Sequence, residues 1–392
     1  MASSLALPRI MRVGSGAFAE TGSVVRSLGL SKPLIVTDPF LEEQGTAARL
    51  QAVLRDAGLE ARVFSAVVPD PTTSSVEAAL AFLKAGDHDC VIGLGGGSPI
   101  DTAKAVAVLA VVGGEMRALK SPHQQDDPGL PIVAIPTTAG TGSEATRFTI
   151  VTEESSSEKM LCIGLAYLPI AAIVDYELTM SMPKRLTADT GVDALTHAIE
   201  AYVSRRANAF TDDLSLIAMR SIWENIRKAY ADPADRPARE AMMLGATQAG
   251  IAFSNSSVAL VHGMSRPIGA FFHIAHGLSN AMLLPTATAY SVEAAAERYA
   301  DCARAVGIAQ PGASSDAAAH RLVEALYGLN ADLEVPSPKR LSIDERRWNE
   351  AKETMAQQAL DSGSPGNNPR VPSAAEIVRL YDAVWTATRV RL

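Results

Sequence analysis

The chain has 392 residues, of which 47 % are apolar and 20 % charged, with a formal net charge of −8. That composition excludes a disordered chain, and the length suits two domains. The acidic residues are spread out and no basic run stands out, so neither nucleic acid nor a membrane surface is expected as a partner.

In chain order, the first residues lack the charged start and long apolar core of a secretory signal. The run Pro33-Leu34-Ile35-Val36 predicts a strand closed by Thr37 and Asp38, and a helical pattern follows from about Leu41 to Ala57. A second strand is expected at 61–64, and a helix from Ser75 to Ala85 opened by Ser and Thr caps. A third strand, 89–94, runs into glycines, and a helix follows from Ile100 to Val112. The apolar stretch inside it is broken by Lys104 and is far too short to cross a bilayer. Residues 130–135 read as a further strand. Near-continuous apolar strands alternating with helices predict a parallel sheet covered on both faces.

Beyond about Pro183 the strand signal fades. Helices are expected at 188–203, 212–230, 238–252, 287–306 and 316–326. Capping boxes starting at Ser342 and Ser373 mark two more helix starts, with a loop at 362–369 between them. The chain therefore reads as an α/β nucleotide-binding domain, 1–183, followed by an all-helical domain, 184–392. Cys90, Cys162 and Cys302 are few and far apart, which argues against a disulfide framework and for a reducing cytoplasm. Cys90 lies in an apolar run and is expected in the core.

Two motifs follow apolar strands. In Gly93-Leu94-Gly95-Gly96-Gly97-Ser98-Pro99-Ile100-Asp101-Thr102-Ala103-Lys104 the glycines let backbone amides approach a pyrophosphate, and a helix N-terminus adds a favourable dipole. Ser98 is expected to cap that helix, with Pro99 in its first turn. The pattern is neither the usual dinucleotide fingerprint nor a Walker A loop, and a purely structural turn is the alternative. In Pro136-Thr137-Thr138-Ala139-Gly140-Thr141-Gly142-Ser143-Glu144, hydroxyls and exposed amides suit phosphate or carboxamide contacts; a capped loop without ligand is the alternative. Asp38 can accept hydrogen bonds from an adenosine ribose and would repel a 2′-phosphate, which favours NAD over NADP, though an aspartate there also caps turns. Asp70 either contacts the adenine side or forms a turn.

The helical half carries the sharpest constellation. The chain has seven histidines, and His197, His262, His273 and His276 lie in it. Asp193 and His197 are four apart in a helical run, so their side chains share one face about 6 Å apart. With His262 and His276 they make one carboxylate and three imidazoles, enough to hold a divalent transition metal with positions open for substrate. Such mixed donors fit Fe(II), Zn(II), Mn(II) or Co(II). Phe148, Phe253, Phe271 and Phe272 are candidate pocket walls, or simply core.

The two strand-end motifs, the run from Gly191 to Glu200 and that from His262-Gly263-Met264 through His276-Gly277, in this order and over nearly the whole chain, resemble the iron-containing (group III) alcohol dehydrogenases. The resemblance implies a dehydroquinate-synthase-like fold with the active site in the cleft between the domains. It implies metal ligation by Asp193, His197, His262 and His276, with Fe(II) as the metal or Zn(II) in its place. It implies NAD contacts at Asp38, Asp70, Gly95, Gly96, Gly97, Ser98, Asp101, Thr137, Thr138, Lys159 and Leu178. A small alcohol or aldehyde would be the substrate, and a homodimer or larger homo-oligomer the assembly. Two positions depart from the family pattern. Many alcohol-specific members carry His four residues after the third ligand, where this chain has Arg266, and often Asn three residues before the last, where it has His273. The family's proposed proton route through the first position therefore lacks its usual histidine here. His273 could replace it as a proton relay, and Arg266 could bind an acidic group on the substrate, such as that of a hydroxy acid or semialdehyde. A salt bridge or helix-end contact for Arg266, and packing for His273, are the structural alternatives. Two other functions compete: a glycerol-1-phosphate dehydrogenase or dehydroquinate synthase relative on the same scaffold, and a binding or assembly protein without turnover. The Asp193–His197 helix argues against the first, intact ligands against the second.

Overall fold

The computed structural model describes residues 4–156 and 158–387. The chain forms two compact units, Met1–Ser181 and Met182–Leu392. The first contains, in order, β1 (Ile10–Val13), α1 (Thr21–Ser27), β2 (Pro33–Val36), α2 (Pro39–Glu43), α3 (Thr46–Asp56), β3 (Arg62–Phe64), α4 (Thr73–Lys84), β4 (Cys90–Gly95), α5 (Gly97–Val112), β5 (Ile132–Pro136), β6 (Phe148–Glu153), β7 (Glu158–Ile163) and β8 (Ala171–Val174). Six strands make one parallel sheet in the order β1-β8-β5-β4-β2-β3, and β6 and β7 pair as an antiparallel ribbon.

Side-chain alternation divides the sheet between two cores. Leu34, Val36, Val91 and Ile132 pack with residues of α4 and α5. Ile35, Ile92, Leu94, Val133 and Ile135 pack with residues of α1 and α3. A strand buried on both faces has no polar side, which is why β2, β4 and β5 read as unbroken apolar runs. Cys90 lies in this core, and burial pushes its thiol well above the usual range.

Two local expectations need correction. The single helix read from 41 to 57 is split into α2 and α3 by Gly45, whose φ of 84° ends one helical path and starts another. Ser98 does not cap α5, because the helix begins at Gly97 and its N-cap residue is Gly96. The sequence reading also missed β1, β6, β7 and β8. β1 is a half-exposed edge strand, and the ribbon is short and mixed in polarity, so neither carries a strong apolar period.

The second unit contains α6 (Lys184–Val203), α7 (Ala209–Ala231), α8 (Arg236–Ser254), α9 (Leu260–Phe272), α10 (His276–Ser291), α11 (Ala296–Ala305), α12 (Ser315–Asp332), α13 (Glu345–Asp361) and α14 (Ala374–Trp385). Its central element is α6, buried from Thr187 to Val203 and packed by α7, α8 and α10. Asn208 and Thr211 open α7 with a reciprocal capping box, as Ser373 and Glu376 open α14. The box expected at Ser342 is not formed: Ser342 is left-handed, at φ 57°, and Asp344 caps α13 instead. The helix read from 287 to 306 is two, α10 and α11, with Ala295 between them outside helical geometry.

Candidate functional site

In the first unit, parallel pairing brings the cofactor candidates to one end of the sheet. Gly95 on β4 pairs with Pro136 on β5, and the Thr137 N–H donates to the Gly95 carbonyl at 2.9 Å. The glycine turn and the two threonines are therefore neighbours beyond the C-terminal ends of adjacent strands. Asp38 follows β2, which pairs with β4, and Leu178 follows β8, which pairs with β5. In an open α/β sheet this is where ligands bind.

Gly95 has φ 149°, and a Cβ there would fall 2.4 Å from Pro99. Cβ atoms on Gly96 and Gly97 would press on Thr138 and Thr141 at 3.3 and 3.1 Å. Glycine is thus demanded at Gly95, whereas a side chain at Gly96 or Gly97 would make the threonine opposite give way by a few tenths of an ångström. The Thr138 hydroxyl is buried without a hydrogen-bond partner, as is that of Thr37 beside Asp38. A dinucleotide's oxygens would answer such groups, so the turn fits NAD(H) chemically. Asp38 accepts from the Leu41 N–H at 2.9 Å, which caps α2.

Asp70, Ser98 and Lys159 are joined. The Asp70 N–H donates to Ser98 Oγ at 3.2 Å, and Lys159 Nζ lies 2.7 Å from Asp70 Oδ1. Asp70 is left-handed, at φ 51°. Asp101 turns inward: its carboxylate accepts from the Ile150 N–H at 3.2 Å and from Ser143 Oγ at 3.4 Å. Lys104, fully buried, donates to the carbonyls of Thr146 and Phe148 and to Thr146 Oγ1. Burial raises the Asp101 carboxyl and lowers the Lys104 ammonium, and each charge opposes the other's shift. Both residues thus tie α5 to the segment that follows Thr137 and Thr138.

In the second unit, one ligand atom each from Asp193, His262 and His276 lies within 4.8 Å of the others. Asp193 comes from α6, His262 from the first turn of α9, and His276 is the first residue of α10. His262 Nε2 and His276 Nε2 lie 3.4 and 3.9 Å from Asp193 Oδ1. Gly277 makes this convergence possible, because a Cβ there would fall 2.5 Å from the Asp189 carbonyl of α6. His197 stands beside the group, with its Nε2 3.9 Å from Asp193 Oδ1. Its ring is stacked between Phe253 and His262, with centroids 4.2 and 4.5 Å away.

Burial alone would raise the Asp193 carboxyl, yet the imidazoles of His197, His276 and His262 outweigh it and hold the group well below the carboxylate range. Burial pushes His197 down to about 3, so it is a neutral imidazole with a free lone pair. Burial alone would lower His262, yet the carboxylates of Glu200 and Asp193 outweigh it and raise the group. One carboxylate and these imidazoles converging on one point are the donor chemistry of a divalent transition metal.

The sequence reading missed three residues here. Glu200 accepts from the Val261 N–H and from His262 Nδ1, both at 2.6 Å. This places a His262 proton on Nδ1 and turns Nε2 toward Asp193. Asn280 Nδ2 donates to Asp193 Oδ1 at 2.6 Å. Ser364 Oγ accepts from Arg266 Nη1 at 2.9 Å. A signal existed for two of them. Glu200 lies three residues after His197, and Asn280 four after His276, each on the ligand's own helix face. Ser364 lies in the Gly- and Pro-rich loop and gave none.

Arg266 and His273 differ in setting. Arg266 is 6 % exposed, and its Nε is buried without a partner. Burial pushes the guanidinium down to about 10, opposed by the charge of Glu200. His273 ends α9 in a left-handed conformation, at φ 54°, and is exposed. Asn and His tolerate that conformation better than most residues, which gives this position a backbone role. Of the candidate wall aromatics, Phe253 touches His197, and Phe272 packs on Trp348.

Comparison with known proteins agrees with this geometry. Residues 8–176 match the family "Iron-containing alcohol dehydrogenase", and residues 187–385 match "Fe-containing alcohol dehydrogenase family, C-terminal". The chain belongs to the iron-containing alcohol dehydrogenase family. It is 38 % identical to lactaldehyde reductase of Escherichia coli over 98 % of this chain and 100 % of that one. It is 36 % identical to the NAD-dependent methanol dehydrogenase of Bacillus methanolicus, over 95 % of this chain and 97 % of that one. Among solved structures, a 1,3-propanediol oxidoreductase superposes with a TM-score of 0.94 at 33 % identity, covering 98 % of this chain and 100 % of the other. A sulfoacetaldehyde reductase from Bifidobacterium kashiwanohense in complex with NAD+ gives 0.87 at 27 % identity, over 98 % and 99 %. The family member is thus an oxidoreductase with an N-terminal α/β unit and an all-helical C-terminal unit. No helix among the described residues is long and apolar enough to cross a membrane.

Proposed function

We propose that this protein is a metal-dependent, NAD(H)-linked dehydrogenase that interconverts a small primary alcohol and its aldehyde. The observation that carries the reading is the convergence of Asp193, His262 and His276 on one point in a chain of this family. A bound Fe(II), or Zn(II) in its place, would supply Lewis-acid polarisation of the substrate oxygen, and NAD(H) would supply or take the hydride. Asp193, His197, His262 and His276 would hold the metal. Asp193 contributes the single negative charge of that donor set, and Glu200 keeps the lone pair of His262 turned toward it. In the first unit, Gly95 to Ser98 would hold the pyrophosphate, and Thr137 and Thr138 would add hydroxyl contacts. The carboxylate of Asp38 would take the ribose hydroxyls and disfavour NADP, consistent with relatives named for NAD. Lys159, Asp70 and Leu178 would border the cofactor.

Arg266 carries the finer reading of the substrate. A guanidinium has five N–H donors in a planar fork; here Ser364 answers Nη1, and Nε is without a partner among the described residues. A substrate with a terminal acid group, a hydroxy acid or a semialdehyde, would complete it. The protein is further proposed to work as a homodimer or larger assembly, which light scattering would show.

The test is alcohol-dependent formation of NADH by protein stripped of metal and reloaded with Fe(II) or Zn(II). NADH formation with primary alcohols, lost on stripping and restored by metal, is expected. Silence across a broad panel of alcohols and aldehydes with either metal would overturn the reading. Arg266→Ala should slow acidic aldehydes selectively, and an equal loss on neutral ones would refute the acid-group assignment. Asp38→Gly should admit NADP, and continued exclusion of NADP would refute its role.

A further inference from the structure

Asn280 is fully buried on α10, one turn after His276. Its Nδ2 lies 2.6 Å from Asp193 Oδ1, 3.1 Å from His262 Nε2 and 3.1 Å from His276 Nε2. Asp193, His262 and His276 are the three residues that converge as candidate metal donors. A carboxamide carries two N–H groups, so three acceptors surround two donors. The other end of the amide, Oδ1, is buried and has no partner among the described residues. A buried amide with one end crowded by acceptors and the other unanswered is a poor packing residue, since a leucine would fill the same volume without burying a polar group. Its position makes sense only through what the Nδ2 faces.

Two of the other donors have hydrogen-bonded supports: Glu200 holds His262 at 2.6 Å, and Ser265 Oγ lies 3.2 Å from His276 Nδ1. His197 is held instead by stacking on Phe253. At Asp193 the shortest contact is the one from Asn280, 2.6 Å against 3.4 Å or more from the imidazole nitrogens. An amide suits that place because it holds a carboxylate without adding charge. A lysine or arginine there would cancel the single negative charge of the donor set and compete with a cation.

We propose that Asn280 is a positioning residue of the cation site, which orients Asp193 against the two imidazole nitrogens and thereby sets how tightly a divalent cation is held. The proposal rests on the metal-dependent reading of the site. Supporting groups of this kind are worth 10–100-fold in metal affinity.

Two variants of the full-length protein test it. Asn280→Leu keeps the buried volume and removes the donor, and Asn280→Ala removes both. The zinc dissociation constant is measured by chelator competition, and the visible bands of the cobalt-loaded protein report the geometry around the ion. Thermal melting of the metal-free protein reports packing. We expect zinc affinity to fall about 10–100-fold in both variants, with altered cobalt bands and near-wild-type melting for Asn280→Leu. Wild-type zinc affinity and cobalt bands in a folded Asn280→Leu would overturn the proposal, even if Asn280→Ala melts early. Failure of the wild type itself to bind zinc or cobalt would instead overturn the metal-dependent function.

Discussion

Glu200→Gln is the substitution whose effect follows most directly from the geometry. The Glu200 carboxylate accepts two buried hydrogen bonds of 2.6 Å, from the Val261 N–H and from His262 Nδ1. A carboxylate only accepts, so the imidazole proton is confined to Nδ1 and the Nε2 lone pair faces the Asp193 side, 3.4 Å from Oδ1. Glutamine cannot serve both partners. With its oxygen on Val261, its NH2 faces Nδ1 and the imidazole proton must move to Nε2, where it blocks coordination. With its oxygen on His262, two N–H groups confront each other at Val261. Either arrangement forfeits a buried charge-assisted bond, roughly 1.5–3 kcal/mol. If that cost falls on the loaded state, the zinc dissociation constant rises about 10–100-fold, the range found when such supporting groups are removed. Chelator competition on purified variant and wild type measures it. Unchanged zinc affinity in a folded Glu200→Gln would refute the reasoning, because it would show that His262 needs no fixed tautomer.

Other consequences follow from the same geometry. Gly277→Ala should push the start of α10 off α6, since its Cβ would meet the Asp189 carbonyl at 2.5 Å; weaker metal binding and a lowered melting temperature are expected, and a wild-type melt would contradict the close approach. Lys104→Met leaves three oxygen acceptors, the Thr146 and Phe148 carbonyls and Thr146 Oγ1, without their buried donor. Leaving a buried acceptor unsatisfied costs about 1–3 kcal/mol, to be read from urea unfolding; a loss near zero would show that the lysine is dispensable. Ser373→Ala removes the cap of α14 and should cost about 1 kcal/mol at neutral pH. The Ser373 N–H and hydroxyl hold Glu376 down to about 2, against an ordinary 4.5. The folded group is the stronger acid, so its stabilisation is complete above the ordinary value and disappears as pH falls toward 2. The gap between variant and wild type should shrink across that window, and a gap constant with pH would refute the link.

The sequence by itself determined what is local. Apolar strands at β2, β4 and β5 declared a sheet buried on both faces, because burial removes the polar alternate positions along the strand. Asp193 and His197 declared a ligand-bearing helix face, because 3.6 residues per turn aligns positions four apart. Where backbone geometry rather than composition governs, the reading slipped: Gly45 divides a continuous helical pattern, and Gly97 starts α5 ahead of Ser98. Tertiary structure decided which distant side chains meet. Glu200 reaches His262 across 62 residues, Asn280 reaches Asp193 across 87, and Ser364 reaches Arg266 across 98. No period or cap in the chain encodes those pairings. They are set by how α6, α9 and α10 pack, down to the missing Cβ of Gly277, because a hydrogen bond depends on distances of tenths of an ångström that only the folded unit fixes.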